Sequence, residues 1–75
     1  MKTAFRGSFK RDVKRIQNDR ILAGVRHAIL DVETAAQWSD VPAIKKIRGA
    51  TNAVRIRIED YRIGLFIEDD VAEFV

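Results

Sequence analysis

Phe9, Val13 and Ile16 recur at i, i+4 and i+7, with Lys10, Arg11, Asp12, Lys14 and Arg15 between them. That spacing predicts an amphipathic helix. Ser8 stands where an N-cap is needed, since its hydroxyl can accept from the first free amides of a helix. Asn18-Asp19 breaks the pattern, and Asp19 is placed to cap a second helix. Its apolar stripe is Ile21, Leu22, Val25, Ala28, Ile29, Val32 and Ala36, which predicts an end near Trp38. So short a break predicts an antiparallel helical hairpin over about residues 8–38. Gly24 lies inside the second helix at a cost of ~1 kcal/mol in propensity, so close packing is its expected role. Ser39-Asp40-Val41-Pro42 reads as a turn, with Pro42 starting a brief helical turn through Ala43-Ile44-Lys45-Lys46.

After a loop at 49–52 the period changes from 3.6 to 2. Val54, Ile56 and Ile58 alternate with Arg55, Arg57 and Glu59, giving one apolar and one basic face. Glu59-Asp60 is the expected reversal, and Tyr61 to Ile67 a second strand with Ile63, Leu65 and Ile67 on the core face. Glu68-Asp69-Asp70 is another tight turn, and Val71 to Val75 begins a third strand. Lys2 to Phe5 is a candidate edge strand. Helices followed by an antiparallel meander over about residues 53–75 predict an α+β fold: a helical hairpin packed on a small antiparallel sheet. Seventy-five residues without a linker or repeat predict one domain, 1–75.

Composition narrows the chemistry. Without cysteine the chain has neither disulfides nor zinc–thiolate sites. No apolar run approaches the roughly 18–20 residues of a membrane span, and the N-terminus lacks a signal-peptide pattern. The expectation is a cytoplasmic protein that does not engage membranes. Fourteen Lys and Arg against 11 Asp and Glu give a net charge of +3, which alone selects no partner. Placement is more informative. Lys45, Lys46, Arg48, Arg55, Arg57 and Arg62 fall in one stretch, and acids gather later at Glu68, Asp69, Asp70 and Glu73.

Arg55 and Arg57 sit at i and i+2 on a strand, so they point the same way about 6.6 Å apart. That is close to the spacing of successive phosphates along an extended nucleic-acid strand. Arg62 joins them if the chain reverses at Glu59-Asp60. Guanidinium is planar and binds phosphate bidentately. Arg62 shares its face with Gly64, which admits a ligand backbone, and Phe66, which can stack a base. The plainer reading is a solvated sheet face. Only Glu59 interrupts the ladder with an acid, which favours a polyanion, RNA first. His27 lies off the apolar stripe, with no partners at metal-ligand spacing. The acid cluster lacks calcium-loop spacing, and the glycines form no phosphate loop. No metal or cofactor is expected.

The order of these pieces carries a resemblance. A helix opening Ser8-Phe9-Lys10-Arg11-Asp12-Val13 precedes the turn Ile47-Arg48-Gly49. The basic strand Val54-Arg55-Ile56-Arg57-Ile58 and then Asp60-Tyr61-Arg62-Ile63 follow. The chain thereby resembles the RelE/ParE superfamily of bacterial toxin–antitoxin toxins along nearly its whole length. The RelE-like branch implies a ribosome-dependent endoribonuclease that cuts mRNA in the ribosomal A site and inhibits translation. Arg55, Arg57 and Arg62 would then hold and polarise the scissile phosphate, Arg48 would lie near the mRNA backbone, and Lys45, Lys46 and Phe66 would contact RNA. A cognate antitoxin, often acidic where it binds, would neutralise the toxin in a hetero-oligomer. The ParE-like branch implies DNA gyrase inhibition instead. The family's further active residues, one basic and one Tyr or His, lie past the third strand, and this sequence ends at Val75 before them. The expectation is therefore of a truncated toxin, in one reading a catalytically impaired remnant that binds antitoxin or RNA.

Overall fold

The computed structural model describes residues 1–75. In chain order the elements are β1 (Lys2–Phe5), α1 (Gly7–Arg15), α2 (Asp19–Thr34), a 3-10 turn (Trp38–Asp40), β2 (Ile44–Lys46), β3 (Ala53–Ile58), β4 (Tyr61–Glu68) and β5 (Val71–Phe74). The strands form one sheet in the order β1-β5-β4-β3-β2. The meander β3-β4-β5 is antiparallel, as its two-residue turns require, with Ile58 opposite Tyr61 and Glu68 opposite Val71. The sheet as a whole is mixed, which corrects the expectation of an antiparallel one. β1 lies parallel to β5, with Lys2 opposite Val71 and Phe5 opposite Phe74. A parallel partner needs a crossover, and the helices and the other strands supply it.

One face of the sheet carries the core. Val54, Ile56, Ile63, Leu65, Ala72 and Phe74 pack against Phe9 of α1 and Ile21, Val25, Ala28 and Val32 of α2. Phe5, Phe9 and Phe74 form an aromatic trio with ring centroids 5.2–5.7 Å apart, locking β1, α1 and β5 together. The N-terminal ammonium donates to the carbonyls of Val32, Glu33 and Ala35 at 2.7–3.2 Å. It thus supplies donors to carbonyls at the C-terminal end of α2, where positive charge is favoured.

Four local expectations change. Helix α1 starts at Gly7 with Arg6 as an uncapped N-cap. Ser8 is already inside it, and its hydroxyl donates to the Val75 carbonyl at 3.3 Å. The cap of α2 is Asn18, not Asp19, with its side-chain oxygen accepting from the amides of Arg20 (2.9 Å) and Ile21 (3.4 Å). Helix α2 stops at Thr34, and Trp38 opens the 3-10 turn instead of ending the helix. Ile44-Lys45-Lys46 is a strand, not a helical turn. Ala43 adopts a left-handed φ of 65°, which breaks any helix there. The three residues then cover the edge of β3, whose amides and carbonyls would otherwise lack strand partners.

Gly24 earns its place by contact. A Cβ there would lie 2.7 Å from Cγ2 of Ile58, well inside van der Waals contact. Gly24→Ala should therefore destabilise the protein by about 1–3 kcal/mol, the usual cost of overpacking, despite alanine's better helix propensity. In an Ile58→Ala background the same change should become neutral or stabilising. Urea denaturation of the four proteins reads this out, and a stabilising Gly24→Ala in the wild-type background would refute the contact. Asn18→Ala should cost about 1 kcal/mol, a fall in Tm of about 4–8 °C for a domain of this size. Asp19→Ala should cost less, and the opposite ranking would return the cap to Asp19.

A candidate phosphate-binding face

The face of the sheet turned away from the helices is built by the same alternation. With Val54 and Ile56 committed to the core, Arg55 and Arg57 must point outward. Strand register then sets their neighbours. Arg55 stands opposite Gly64 on β4 and Lys45 on β2, and Arg57 stands opposite Arg62. Arg48 arrives from the β2–β3 connection. There Ala50 N–H donates to the Ile47 carbonyl at 3.2 Å, and Gly49 at φ 83° supplies the left-handed residue that closes the turn.

A shallow groove of about 460 Å³ is lined by Lys46, Ile47, Arg48, Arg55, Arg62 and Gly64. Its charged lining is entirely cationic. Gly64 forms its floor opposite Arg55, and a Cβ there would meet only Cγ2 of Val75, at 3.4 Å. None of Lys45, Lys46, Arg48, Arg55, Arg57 or Arg62 is in an ion pair: the salt bridges join Arg6 to Glu73, Arg20 to Glu59 and His27 to Asp31. Like charges directly opposite on neighbouring strands are destabilising. This face carries two such pairs, Lys45–Arg55 and Arg57–Arg62.

The residues singled out in the sequence are not all brought together. Arg48, Arg55, Arg62 and Lys46 share the groove. Lys45 flanks it as the exposed cross-strand neighbour of Arg55. Arg57 stands beside it, but its Nε donates to the Glu59 carbonyl at 3.1 Å, tying it to the β3–β4 turn. Phe66 lies outside the groove, in an opening lined by Ala4, Glu68, Asp69, Val71 and Glu73. Arg6 covers its ring, with Cζ 5.2 Å from the centroid. Sequence reasoning missed Arg6, because its place on this face follows from the β1–β5 pairing, for which no local pattern exists. Tyr61 lines an adjoining, largely apolar cleft with Phe9, Val13, Ile16 and Val25, which shares Arg62 and Gly64 with the groove and also includes Asp12. No helix is long and apolar enough to cross a membrane.

No family model matches the chain. It is 32% identical over 75 residues to the toxin RelE3 of Methanocaldococcus jannaschii, an alignment covering 99% of this chain and 84% of that protein. It also matches a chain in the crystal structure of the RelB–RelE antitoxin–toxin complex from Methanococcus jannaschii. There the TM-score is 0.79 at 29% identity, over 95% of this chain and 83% of that one. Sequence and fold agree over nearly the full length, and the chain belongs to the RelE family of toxins.

Proposed function

We propose that this protein is the toxin of a type II toxin–antitoxin system and acts on mRNA in the ribosomal A site, holding the scissile phosphate in the groove of Arg48, Arg55 and Arg62. The observation that carries the reading is the set of cations without ion pairs, Lys45 and Arg57 standing across the strands from Arg55 and Arg62, beside a groove floored by Gly64. A merely solvated face would intersperse acids there. In the reaction the ribose 2′-oxygen attacks the adjacent phosphorus. The bond from phosphorus to the 5′-oxygen of the next nucleotide breaks, leaving a cyclic phosphate and a 5′-hydroxyl. The phosphorane gains negative charge on the way, and preorganised guanidinium groups stabilise charge that develops in this manner. The 2′-proton must leave and the 5′-oxygen must gain one. Arginine remains protonated and serves neither step.

A second reading rests on that chemistry. The groove's own lining includes no carboxylate, imidazole or phenol, and Asp12 and Tyr61 line the adjoining cleft that shares Arg62 and Gly64 with it; on this reading the protein grips RNA more strongly than it cuts it. In either case the partner is a RelB-like antitoxin, supported by the antitoxin–toxin complex in which the structural relative was solved. An acidic antitoxin segment fits the cationic face as an RNA backbone does.

Induced expression should halt translation, and primer extension should find new 5′ ends within codons of translated messages. Both effects should disappear in Arg55→Ala/Arg62→Ala. Intact messages with stalled DNA synthesis would replace this reading with gyrase inhibition, and intact messages with normal growth would leave only the binding module. A binding measurement separates the arginines. Each lost phosphate contact on a single strand should flatten the slope of log K against log salt by about 0.7. Arg55→Ala and Arg62→Ala should each show that change, and Arg57→Ala a smaller one because its Nε is already engaged. Equal slopes in all three variants and the wild type would reduce the ladder to solvated surface.

A further inference from the structure

Beside the phosphate groove the same sheet face changes character. Along β4, Arg62, Gly64 and Phe66 point outward at successive steps of about 6.6 Å, so Phe66 lies one step beyond the groove's floor. Glu73 stands opposite Phe66 on β5. Arg6, immediately after β1, donates its amide to the Phe74 carbonyl at 3.0 Å. Its guanidinium is then fixed from two sides. Nε lies 3.1 Å from the Glu73 carboxylate, and Cζ lies 5.2 Å from the centre of the Phe66 ring. The Arg6 side chain is nonetheless 52% exposed, so part of this stacked group still faces solvent.

We propose that Arg6, Phe66 and Glu73 form a nucleobase platform one strand step from the phosphate groove. The inference rests on the reading of the groove as an RNA site and adds base contact to it. Bases stack on aromatic rings and on guanidinium planes alike, and Arg6 over Phe66 offers both in one pile. The charge pattern sorts the two halves of a nucleotide. In the groove every charged side chain is positive, which suits phosphate. At the platform the Arg6 charge is cancelled by Glu73, and Glu68 and Asp69 line the same opening. Phosphate is repelled there, whereas a neutral base loses nothing and its amino groups find a carboxylate acceptor. Arg6 could instead be held only to cover Phe66 and neutralise Glu73, and that role would need no RNA.

The test uses the full chain and two single-stranded probes of equal length. One is a 2′-O-methyl oligoribonucleotide, which lacks the attacking hydroxyl and stays intact. The other has the same backbone with abasic sugars. The wild type should bind the intact probe about ten-fold more tightly, within the range for one stacked base. Arg6→Ala and Phe66→Leu should lose that preference while keeping their affinity for the abasic probe. Arg6→Lys, with its charge but no planar group, should recover little of it. Arg55→Ala/Arg62→Ala should weaken both probes alike. Equal affinity of the wild type for both probes, or a preference untouched by Arg6→Ala and Phe66→Leu, overturns the platform and leaves the groove standing. If neither probe binds in a salt-dependent way, the groove reading fails and the platform with it.

Discussion

The side-chain period of two along β3 and β4 is the constraint on which both faces of this protein depend. Val54, Ile56, Ile63 and Leu65 fill the core, so Arg55, Arg57 and Arg62 have only the opposite face to occupy. A slip of one residue would exchange the two sets. It would bury guanidinium groups without partners, at several kcal/mol for each ion, and expose the centre of the core. The apolar packing thereby fixes the arginines in register. Two-residue turns with Glu59 at φ 51° and Asp69 at φ 54° hold the same register from the ends of the strands.

That rigidity has an electrostatic consequence. Free arginines on a flexible loop would spread apart and let salt screen them. Here the sheet holds like charges at cross-strand distance, and the tertiary fold sustains the repulsion. On the reading proposed for this face, such an arrangement would leave little reorganisation for the moment an anion binds. Arg57 differs from its neighbours in having found a carbonyl, at Glu59, for part of its hydrogen-bonding capacity. The face therefore grades from the unpaired Arg55 and Arg62, through a partly satisfied Arg57, to an Arg6 paired with both a ring and a carboxylate.

Much of this was legible in the sequence because local periodicity carries it. The amphipathic stripes revealed α1 and α2, and the Arg-Ile-Arg-Ile alternation revealed β3 together with the direction of its arginines. The α+β class and the toxin family followed from the same segments. What stayed hidden depends on contacts between distant parts of the chain. Ile44-Lys45-Lys46 has no strand pattern of its own and becomes β2 by covering the edge of β3. Asn18 and Asp19 are both good caps by type, and only the backbone path chooses Asn18. Ser8 looked like a cap because serine often is one, yet helix α1 begins a residue earlier. In the candidate site, Phe66 was visible as an aromatic on the basic face. Its partner Arg6 was not, since fifty-nine residues of chain intervene.

The parallel pairing of β1 with β5 joins strands from opposite ends of the described fold. On a growing chain β1 has no neighbour in the sheet, and Phe5 and Phe9 have no Phe74 to pack against, until the final residues of β5 exist. Contacts so remote in sequence form late, because the entropy of closing the long intervening loop must be overcome first. Arg6 reaches Phe66 and Glu73 through the same strand pairing that brings Phe5 and Phe9 to Phe74, so the stacked guanidinium and the aromatic core depend on one long-range closure.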